Sequence, residues 1–491
     1  NYYILYKKDF FILWIFKRIH VEGILLKSKN SMSVLCLVDG EHYFPVTKSA
    51  VDKIESKGYD VKLLLFIGGT EKLRDTNVDI ISEMFNKPVL FGQDHSKVPY
   101  DLIEESIKEY DVGMVVDLSD EPVVNYSIRF NIATIALLNG CMYKGSDFEF
   151  KALEEEDVLN NPSYKIIGTG KRIGKTAVSA YTARLINKDS DFVPCVVAMG
   201  RGGPQIPEIV RGDKIHLTPK YLMEKSDKGF HAASDHWEDA LMSRVLTVGC
   251  RRCAGGMAGM VYETNMVEGA MMTNDLDVNL VALEGSGSAI PPVKADKQIV
   301  LVGGHQPMET LTEYFGPYRI KLADLIIITM CDEQICSREK LDDLLIKIHE
   351  INPNADIVPT IFRPHPVDDI SNKNILFATT APESVQPLLK DYLEENFNCN
   401  VVAISSHLSN RPLLQRDIEE NIDNIDCMLT ELKAAAVDVA TKDALNKGLE
   451  VVYCDNIPIA INDEYDLDKL IMNIVYEAKE SFNKKRLVWM N

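Results

Sequence analysis

The sequence is organised around KIIGTGKRIGKT, residues 165–176, where an apolar run meets a glycine-rich turn and then a helical pattern, AVSAYTARLI. The common phosphate-binding spelling G-x-x-x-x-G-K-[ST] would require glycine at position 169. The chain has Thr169 there, with glycines at 168, 170 and 174. A strand that enters a Gly-rich turn presents backbone N–H groups to a phosphate, and the following helix adds its positive dipole end. The stretch therefore predicts a nucleotide site rather than a glycine-rich connection with a surface lysine.

The residues of this turn have separate predicted tasks. Lys175 is placed to reach the β- and γ-phosphates of ATP, and the Thr176 hydroxyl is placed to reach Mg²⁺. The residues expected to contact the nucleotide are Gly168, Thr169, Gly170, Lys171, Arg172, Ile173, Gly174, Lys175 and Thr176. The predicted cofactors are ATP and Mg²⁺, and a requirement for K⁺ is left open.

Composition limits the class of protein. The chain has 491 residues, 46% hydrophobic content and a formal net charge of −20. This length fits two or three domains, and the charge argues against a nucleic-acid binder, which needs a broad basic face. The ten cysteines have no framework spacing, which is more typical of reduced thiols in a cytoplasmic enzyme than of a disulfide scaffold.

Residues 1–31 differ from the rest of the chain. They lack a starting Met and carry six Lys or Arg against two Asp or Glu. Their apolar run, Phe10–Phe16, is far shorter than the about 20 residues that a membrane span needs, and no clean signal-peptide cleavage site follows it. We expect this segment to be a non-native N-terminal extension and the working protein, which has no predicted membrane span, to begin at Met32.

From Met32 onward, short apolar runs alternate with helical patterns. SVLCLVD and VKLLLFIGG end in Asp or Gly, as buried parallel strands do, and VTKSAVDKIESKG between them has helical periodicity and a Gly stop. The alternation predicts an α/β fold with mostly parallel sheets. The predicted units are an N-terminal α/β domain at 32–150, a P-loop NTPase-type ATP-binding domain at 160–372 and a C-terminal α/β region at 373–491.

Three basic islands are framed by Gly or Pro in this acidic chain. They are AMGRGGPQIPE with Arg201, GCRRCAGGMAG with Arg251 and Arg252, and FRPHP with Arg363 and His365. Each is expected where a strand ends, the edge at which open α/β sheets bind ligands. Because arginine forks bind phosphate oxygens bidentately, the islands favour an anion site over solvated surface charge.

Two sets of motifs carry family resemblances. GTGKRIGKT has the layout of the dethiobiotin synthetase loop, and LEGSG at 283–287 is similar to a strand-end motif of that enzyme. This implies that Glu284 reaches the metal bound by Thr176, the alternative being an ordinary strand-end acid. MGRGGP, GCRRC, FATTAPESV at 377–385 and DGEHYFPV at 39–46 resemble the archaeal cyclic 2,3-diphosphoglycerate synthetases, from Met32 to near the C-terminus. That resemblance implies a cytoplasmic ligase that uses ATP to close 2,3-diphosphoglycerate into its cyclic anhydride.

The implied chemistry requires several cations at one place, since the substrate carries about −4 to −5 at neutral pH. The predicted catalytic cations are Lys175, Arg201, Arg251 and Arg252. The predicted substrate contacts are His42, Arg201, Arg252, Arg363 and His365.

Two other functions remain open on the sequence. P-loop proteins of this branch include ATPase switches and metal chaperones that act on a protein partner, and a ligase of the dethiobiotin type would act on another small acid. The additional α/β units and the dispersed arginines favour a composite substrate cleft. The predicted assembly is a homodimer, with no nucleic-acid partner.

Histidine and cysteine patterns give weaker predictions. His42 follows a strand-end Asp-Gly and is either a ligand or a packed loop residue. His231 and His236 lie on a predicted helix, where surface or lid roles are favoured over a metal site. Cys250 and Cys253 form C-x-x-C, but zinc needs two more ligands and the CDEQIC segment has the wrong spacing.

Overall fold

The structure is a computed structural model that describes residues 31–70, 78–94, 97–215, 218–227, 235–432 and 436–490. It divides into two compact units, Asn1–Ala152 and Leu153–Asn491. The first 30 residues of the predicted extension, and also His231, lie outside the described residues. Within the described residues, no helix combines the length and the apolar character that crossing a membrane requires.

Strands and helices alternate along the chain as the sequence predicts. The strands are β1 Ser33–Val38, β2 Asp60–Phe66, β3 Val89–Phe91, β4 Met114–Asp117, β5 Met142–Lys144, β6 Glu149–Phe150, β7 Ser163–Gly168, β8 Pro194–Gly200, β9 Glu208–Arg211, β10 Leu246–Cys253, β11 Glu263–Thr264, β12 Leu280–Glu284, β13 Lys297–Gly303, β14 Leu325–Thr329, β15 Asp356–Pro366, β16 Asn374–Ala378, β17 Asn400–Ser405, β18 Cys427–Glu431 and β19 Glu450–Ala460. The α-helices are α1 Phe44–Ser56, α2 Val78–Phe85, α3 Tyr100–Glu109, α4 Tyr126–Leu138, α5 Lys175–Asp189, α6 Pro219–Asp227, α7 Asp235–Ser243, α8 Met266–Met272, α9 Glu309–Thr312, α10 Gly316–Lys321, α11 Arg338–Ile351, α12 Gln386–Phe397, α13 Arg411–Asn421, α14 Lys442–Asn446 and α15 Leu467–Met490.

The N-terminal unit contains a six-stranded sheet in the order β3-β2-β1-β4-β5-β6. Its first five strands pair in parallel and β6 pairs antiparallel to β5. The chain moves outward from β1 to β3 and then returns to place β4 beside β1, as in doubly wound sheets. The continuous apolar runs predicted as strands become its buried centre, in which the side chains of Leu35, Leu63 and Val115 are fully covered.

The second unit contains a 13-stranded sheet in the order β11-β10-β8-β12-β7-β13-β14-β15-β19-β18-β16-β17, with β9 beside β10. Most neighbours are parallel, while β9 and β11 run antiparallel to β10. The long strand β15 pairs in parallel with β14 through its first half and antiparallel with β19 through its second half. The predicted boundary between the P-loop domain and the C-terminal region, at residue 372, therefore lies within one continuous sheet.

The phosphate-loop strand lies inside this sheet. β7 is hydrogen-bonded between β12 and β13, and the chain passes to β8 and β10 on one side before it returns with β12 and then β13. This reversal brings the carboxyl ends of β7, β8, β10 and β12 around one crevice, the usual ligand position in open α/β sheets. The predicted α/β class with a P-loop domain is confirmed.

Candidate active site

The phosphate loop occupies the turn between β7 and α5. The strand ends at Gly168 and the helix begins at Lys175, as the sequence predicts. Gly174 has φ +80, and a Cβ there would lie 2.3 Å from Cζ of Phe362. Because both the left-handed backbone and the ring exclude a side chain, this position requires glycine.

Thr169 stands where the common motif has glycine, and it ties the loop to the neighbouring strand β13. Its backbone N–H donates to the carbonyl of Leu301 at 3.0 Å, and its hydroxyl lies 2.6 Å from Oε1 of Gln306. The same Gln306 oxygen accepts from the backbone N–H of Gly303 at 2.8 Å. Thr169, in place of the motif glycine, thus anchors the loop to Gln306, a residue that the sequence motifs do not identify.

Lys175 lies at the centre of the positive charge of the site. Its Nζ donates to the carbonyl of Gly170 at 2.8 Å. Burial lowers the pKa of Lys175 to about 8, with further lowering by Arg252 and Arg201, while Glu284 opposes the change. Both guanidiniums and the carboxylate therefore lie within electrostatic reach of the lysine.

The predicted metal ligands are neighbours. Oγ1 of Thr176 lies 3.4 Å from Oε1 of Glu284. Glu284 is buried at the end of β12, between the ends of β7 and β8. Hydroxyl and carboxylate oxygens are the donors that Mg²⁺ prefers, so these residues fit the ion. Among the described residues, no group of three or more His, Cys, Asp or Glu side chains is arranged to hold a metal.

Three cationic side chains converge on Gly287 in the segment that follows β12. A Cβ at Gly287 would lie 3.5 Å from Cγ of Lys171 and 3.6 Å from Nη2 of Arg252. The same point lies 3.8 Å from Nη2 of Arg201. Arg252 is also held by Ser286, since its Nη2 donates to that carbonyl at 3.0 Å. Two of the predicted basic islands, together with Lys171, therefore meet at one wall.

Lys171, Arg201 and Gly287 of this wall line a cavity of about 560 Å³, and Arg252 is held beside it by Ser286. The cavity is lined by Lys171, Arg172, Gly174, Lys175, Thr176, Ala177, Met199, Arg201, Gly202, Asp239, Met242, Glu284, Gly285, Ser286, Gly287, Met330, Phe362, Thr380, Ser409, Glu431, Leu432, Cys454 and Asn456. Its contributors range from the P-loop to strands close to the C-terminus, so residues far apart in sequence form one site.

The C-terminal part of the cavity has polar residues that the sequence analysis did not select. Oε2 of Glu431 accepts from the backbone N–H of Thr380 at 3.1 Å and from its hydroxyl at 2.8 Å. Oε1 accepts from Nδ2 of Asn456 at 2.8 Å. Glu431 is buried and fixes both polar groups at the cavity wall. The FATT motif at 377–380 was the available signal for this region.

Other predicted cations are engaged elsewhere. Nη2 of Arg251 donates to Oε1 of Glu263 at 2.9 Å, whereas Arg252 contacts Ser286, which lines the cavity. Arg363 forms a 2.8 Å ion pair with Asp332, whose side chain is buried. His365 is exposed on β15. Successive side chains of a strand point to opposite faces, which separates Arg251 from Arg252.

His42 lies in the N-terminal unit, in a turn organised by Asp39. Its Nδ1 is 2.7 Å from Oδ1 of Asp39. The same oxygen accepts the backbone N–H groups of Glu41 and His42, and Oδ2 accepts that of Asp120. The carboxylate is buried and satisfied, so it shapes the turn and orients the imidazole.

His236 and Cys250 lie at packed positions. His236 is buried, with Nε2 at 3.3 Å from Oε2 of Glu208, and its ring fills the space above Gly249. Burial raises the pKa of the Cys250 thiol to about 12, whereas Cys253 is exposed. All ten cysteines are free thiols.

Comparison with known proteins finds one family along most of the chain. Family models described as the N-terminal, P-loop and C-terminal domains of cyclic 2,3-diphosphoglycerate synthetase match residues 33–151, 163–361 and 366–457. The cyclic 2,3-diphosphoglycerate synthetase of Methanosphaera stadtmanae is 99% identical over 94% of this chain and 100% of its own length. That of Methanothermobacter thermautotrophicus is 58% identical over 93% of this chain and 99% of its own length.

A solved structure of the hydrogenase maturation factor HypB from Archaeoglobus fulgidus aligns with 14% identity and a TM-score of 0.28. It covers 41% of this chain and 81% of its own. The three family models and the two full-length relatives show that this chain belongs to the cyclic 2,3-diphosphoglycerate synthetase family.

Proposed function

We propose that the protein is an ATP-dependent ligase that closes 2,3-diphosphoglycerate into its cyclic anhydride and releases ADP and inorganic phosphate. The observation that carries this proposal is one cavity lined by the phosphate loop, Glu284, Arg201 and Gly287, with Arg252 beside Gly287. An acid with two phosphates needs several fixed positive charges before its phosphates approach each other, and arginine supplies them in a fork that matches phosphate oxygens.

The nucleotide is bound by the loop 168–176. Its backbone N–H groups and the N-terminus of α5 face the phosphates, and Lys175 exchanges its contact with Gly170 for the β- and γ-phosphate oxygens. Thr176 and Glu284 would hold Mg²⁺, which when bound neutralises charge on the transferred phosphoryl group. The adjacency of their two side chains supports this pair of ligands.

The substrate acid is held by Arg201, Arg252 and Lys171. In the first step, an oxygen of one substrate phosphate attacks the γ-phosphorus of ATP, the bond to the β-phosphate bridge breaks, and ADP leaves. Lys175 stabilises the charge on the transferred group, and the arginines hold the attacking phosphate in line.

In the second step, the neighbouring substrate phosphate attacks the activated phosphorus and displaces inorganic phosphate. The new P–O–P bond closes the ring, and the bond to the departing phosphate breaks. Because both phosphates belong to one molecule, effective molarities on the order of 10⁵–10⁸ M become available once the arginines align them. Holding and orienting the substrate is therefore the main task of this wall.

Phosphorus NMR of the full chain with ATP, Mg²⁺ and 2,3-diphosphoglycerate tests the function. We expect a cyclic anhydride resonance together with equal amounts of ADP and phosphate, and loss of all three in Lys175→Met. Intact ATP and unchanged acid in the wild-type sample would overturn the proposal. ATP hydrolysis that is stimulated by a protein partner and not by small phosphorylated acids would support the ATPase-switch alternative instead.

Positional isotope exchange tests the two-step route. With γ-phosphate oxygens labelled in ATP, bridge-to-nonbridge exchange should occur when the acid is present, because ADP formation is reversible before ring closure. Cyclic product formed without such exchange, and without a trappable phosphorylated acid, would favour direct attack.

The proposal extends to cellular context and assembly. The free thiols support a reducing, cytoplasmic location. A homodimer is expected, which light scattering of the full chain tests, and dependence of the rate on K⁺ is tested by replacing it with Na⁺.

A further inference from the structure

Arg319, in the short helix α10, is a buried cation whose hydrogen bonds end on backbone carbonyls. It is 5% exposed. Its Nη2 donates to the carbonyl of Ser288 at 2.9 Å and to that of Met257 at 3.1 Å, and its Nη1 donates to that of Phe315 at 3.1 Å. Burial lowers the pKa of Arg319 to about 10, so the guanidinium still carries its charge at neutral pH.

The two distant carbonyls belong to the segments that build the anion wall. Met257 lies in the segment that follows β10, and Ser288 lies in the segment that follows β12. Arg252 joins the same two segments closer to the cavity, through the carbonyls of Ala254 at 3.2 Å and Ser286 at 3.0 Å. Two guanidiniums thus cross-link one pair of segments: Arg252 through Ser286, which lines the cavity, and Arg319 through Ser288, two residues farther along.

The nucleotide side of the cavity has its own supports. Lys175 is held by Gly170, and Thr169 is held by Gln306. Neither contact includes the segments that Arg319 joins. Loss of Arg319 would remove the donor that joins the carbonyls of Met257 and Ser288, and would release Ser286, and with it Arg252, from a fixed position. The disturbance would therefore fall on the acid and not on ATP.

We propose that Arg319 is a positioning residue for the acid substrate: it fixes the segments after β10 and β12 so that Arg252 and the cations around Gly287 meet the substrate phosphates. This inference rests on the proposed function. The guanidinium touches no substrate, and it acts through Arg252 and through the backbone of Ser286–Ser288. The buried charge of Arg319 also adds positive electrostatic potential near the segment that follows β12.

The test compares Arg319→Gln and Arg319→Lys with a matched control, Asn352→Ala. Asn352 is buried, and its Nδ2 donates to the carbonyls of Ile320 at 2.8 Å and Ala323 at 3.0 Å. The control therefore removes a buried carbonyl contact at the other end of α10 without reaching the anion wall. Thermal unfolding of the full chain measures the structural loss that both substitutions share.

For Arg319→Gln we expect kcat/KM for 2,3-diphosphoglycerate to fall by about 10- to 100-fold, with KM for ATP within about twofold of wild type. Arg319→Lys, which keeps the charge, should recover part of this loss and remains informative if the glutamine variant does not fold. Asn352→Ala should lower the unfolding temperature and leave both KM values unchanged. Equal changes in the two KM values of the arginine variants, or the same acid-specific loss in the asparagine variant, would overturn the inference. A wild-type enzyme that makes no cyclic product would instead overturn the proposed function.

Discussion

Replacing Lys175 by methionine should stabilise the nucleotide-free protein while it removes synthesis. Burial and the nearby Arg252 and Arg201 lower the pKa of this lysine from 10.5 to about 8. The protonated lysine therefore destabilises the native state. The difference corresponds to about 3.5 kcal/mol at about 1.4 kcal/mol per pKa unit. Because the side chain is in partial contact with water, screening lowers the expected gain to about 2 kcal/mol.

The sign of the pH dependence follows from the lowered pKa. Below pH 8 the lysine is protonated in the native and the unfolded chain, and the full cost is present in the wild type. Between pH 8 and 10.5 the native protein has lost the proton that the unfolded chain still holds, so wild-type stability rises with pH. The advantage of Lys175→Met should therefore be largest at neutral pH and should shrink as the pH passes 8.

Urea unfolding of the nucleotide-free protein at neutral and at alkaline pH measures this difference, and phosphorus NMR measures synthesis, which should fall by about 10²–10³-fold. The control is Lys297→Met. Burial lowers the pKa of Lys297, but its hydrogen bonds to Glu477 and Asp324 outweigh this and raise it, so its replacement should destabilise by about 0.5–1 kcal/mol. A Lys175→Met protein that is less stable than wild type at neutral pH, or whose gain does not change with pH, would refute the reasoning.

Three further predictions concern the cavity. Arg252→Ala should lower kcat/KM for the acid by about 30-fold or more. Arg251→Ala should change it by less than about threefold, because the Arg251 guanidinium is held in a part-exposed ion pair with Glu263. Comparable losses for the two variants in steady-state assays would contradict this division. Glu284→Gln should raise the Mg²⁺ concentration for half-maximal ADP release by about tenfold or more, and an unchanged Mg²⁺ titration would remove the residue from the metal site. Gly174→Ala should cost about 1–2 kcal/mol for its left-handed backbone and should raise KM for ATP, and an unaltered ATP titration would show that the loop tolerates the side chain.

The elements of the fold could be predicted from local patterns. Continuous apolar runs that end in Asp or Gly became buried parallel strands, and the glycine-rich turn before AVSAYTARLI became a loop followed by a helix that begins at Lys175. These features depend on neighbouring residues, whose spacing is visible in one sequence. The pairing of β15 with both β14 and β19 was not visible, because strand partners that are far apart in sequence leave no local signal.

The same limit applies to the candidate site. The sequence by itself determined that a phosphate loop exists and that Gly- or Pro-framed cations recur in an acidic chain, while only a family resemblance implied that Glu284 reaches the metal of Thr176. Tertiary structure alone decided that Arg252 contacts Ser286 at the cavity wall while Arg251 pairs with Glu263, and that Arg319 donates to the carbonyls of Met257 and Ser288. The physical reason is that composition and spacing record which side chains are present, whereas strand register, the alternation of faces and distant carbonyl partners determine which of them meet.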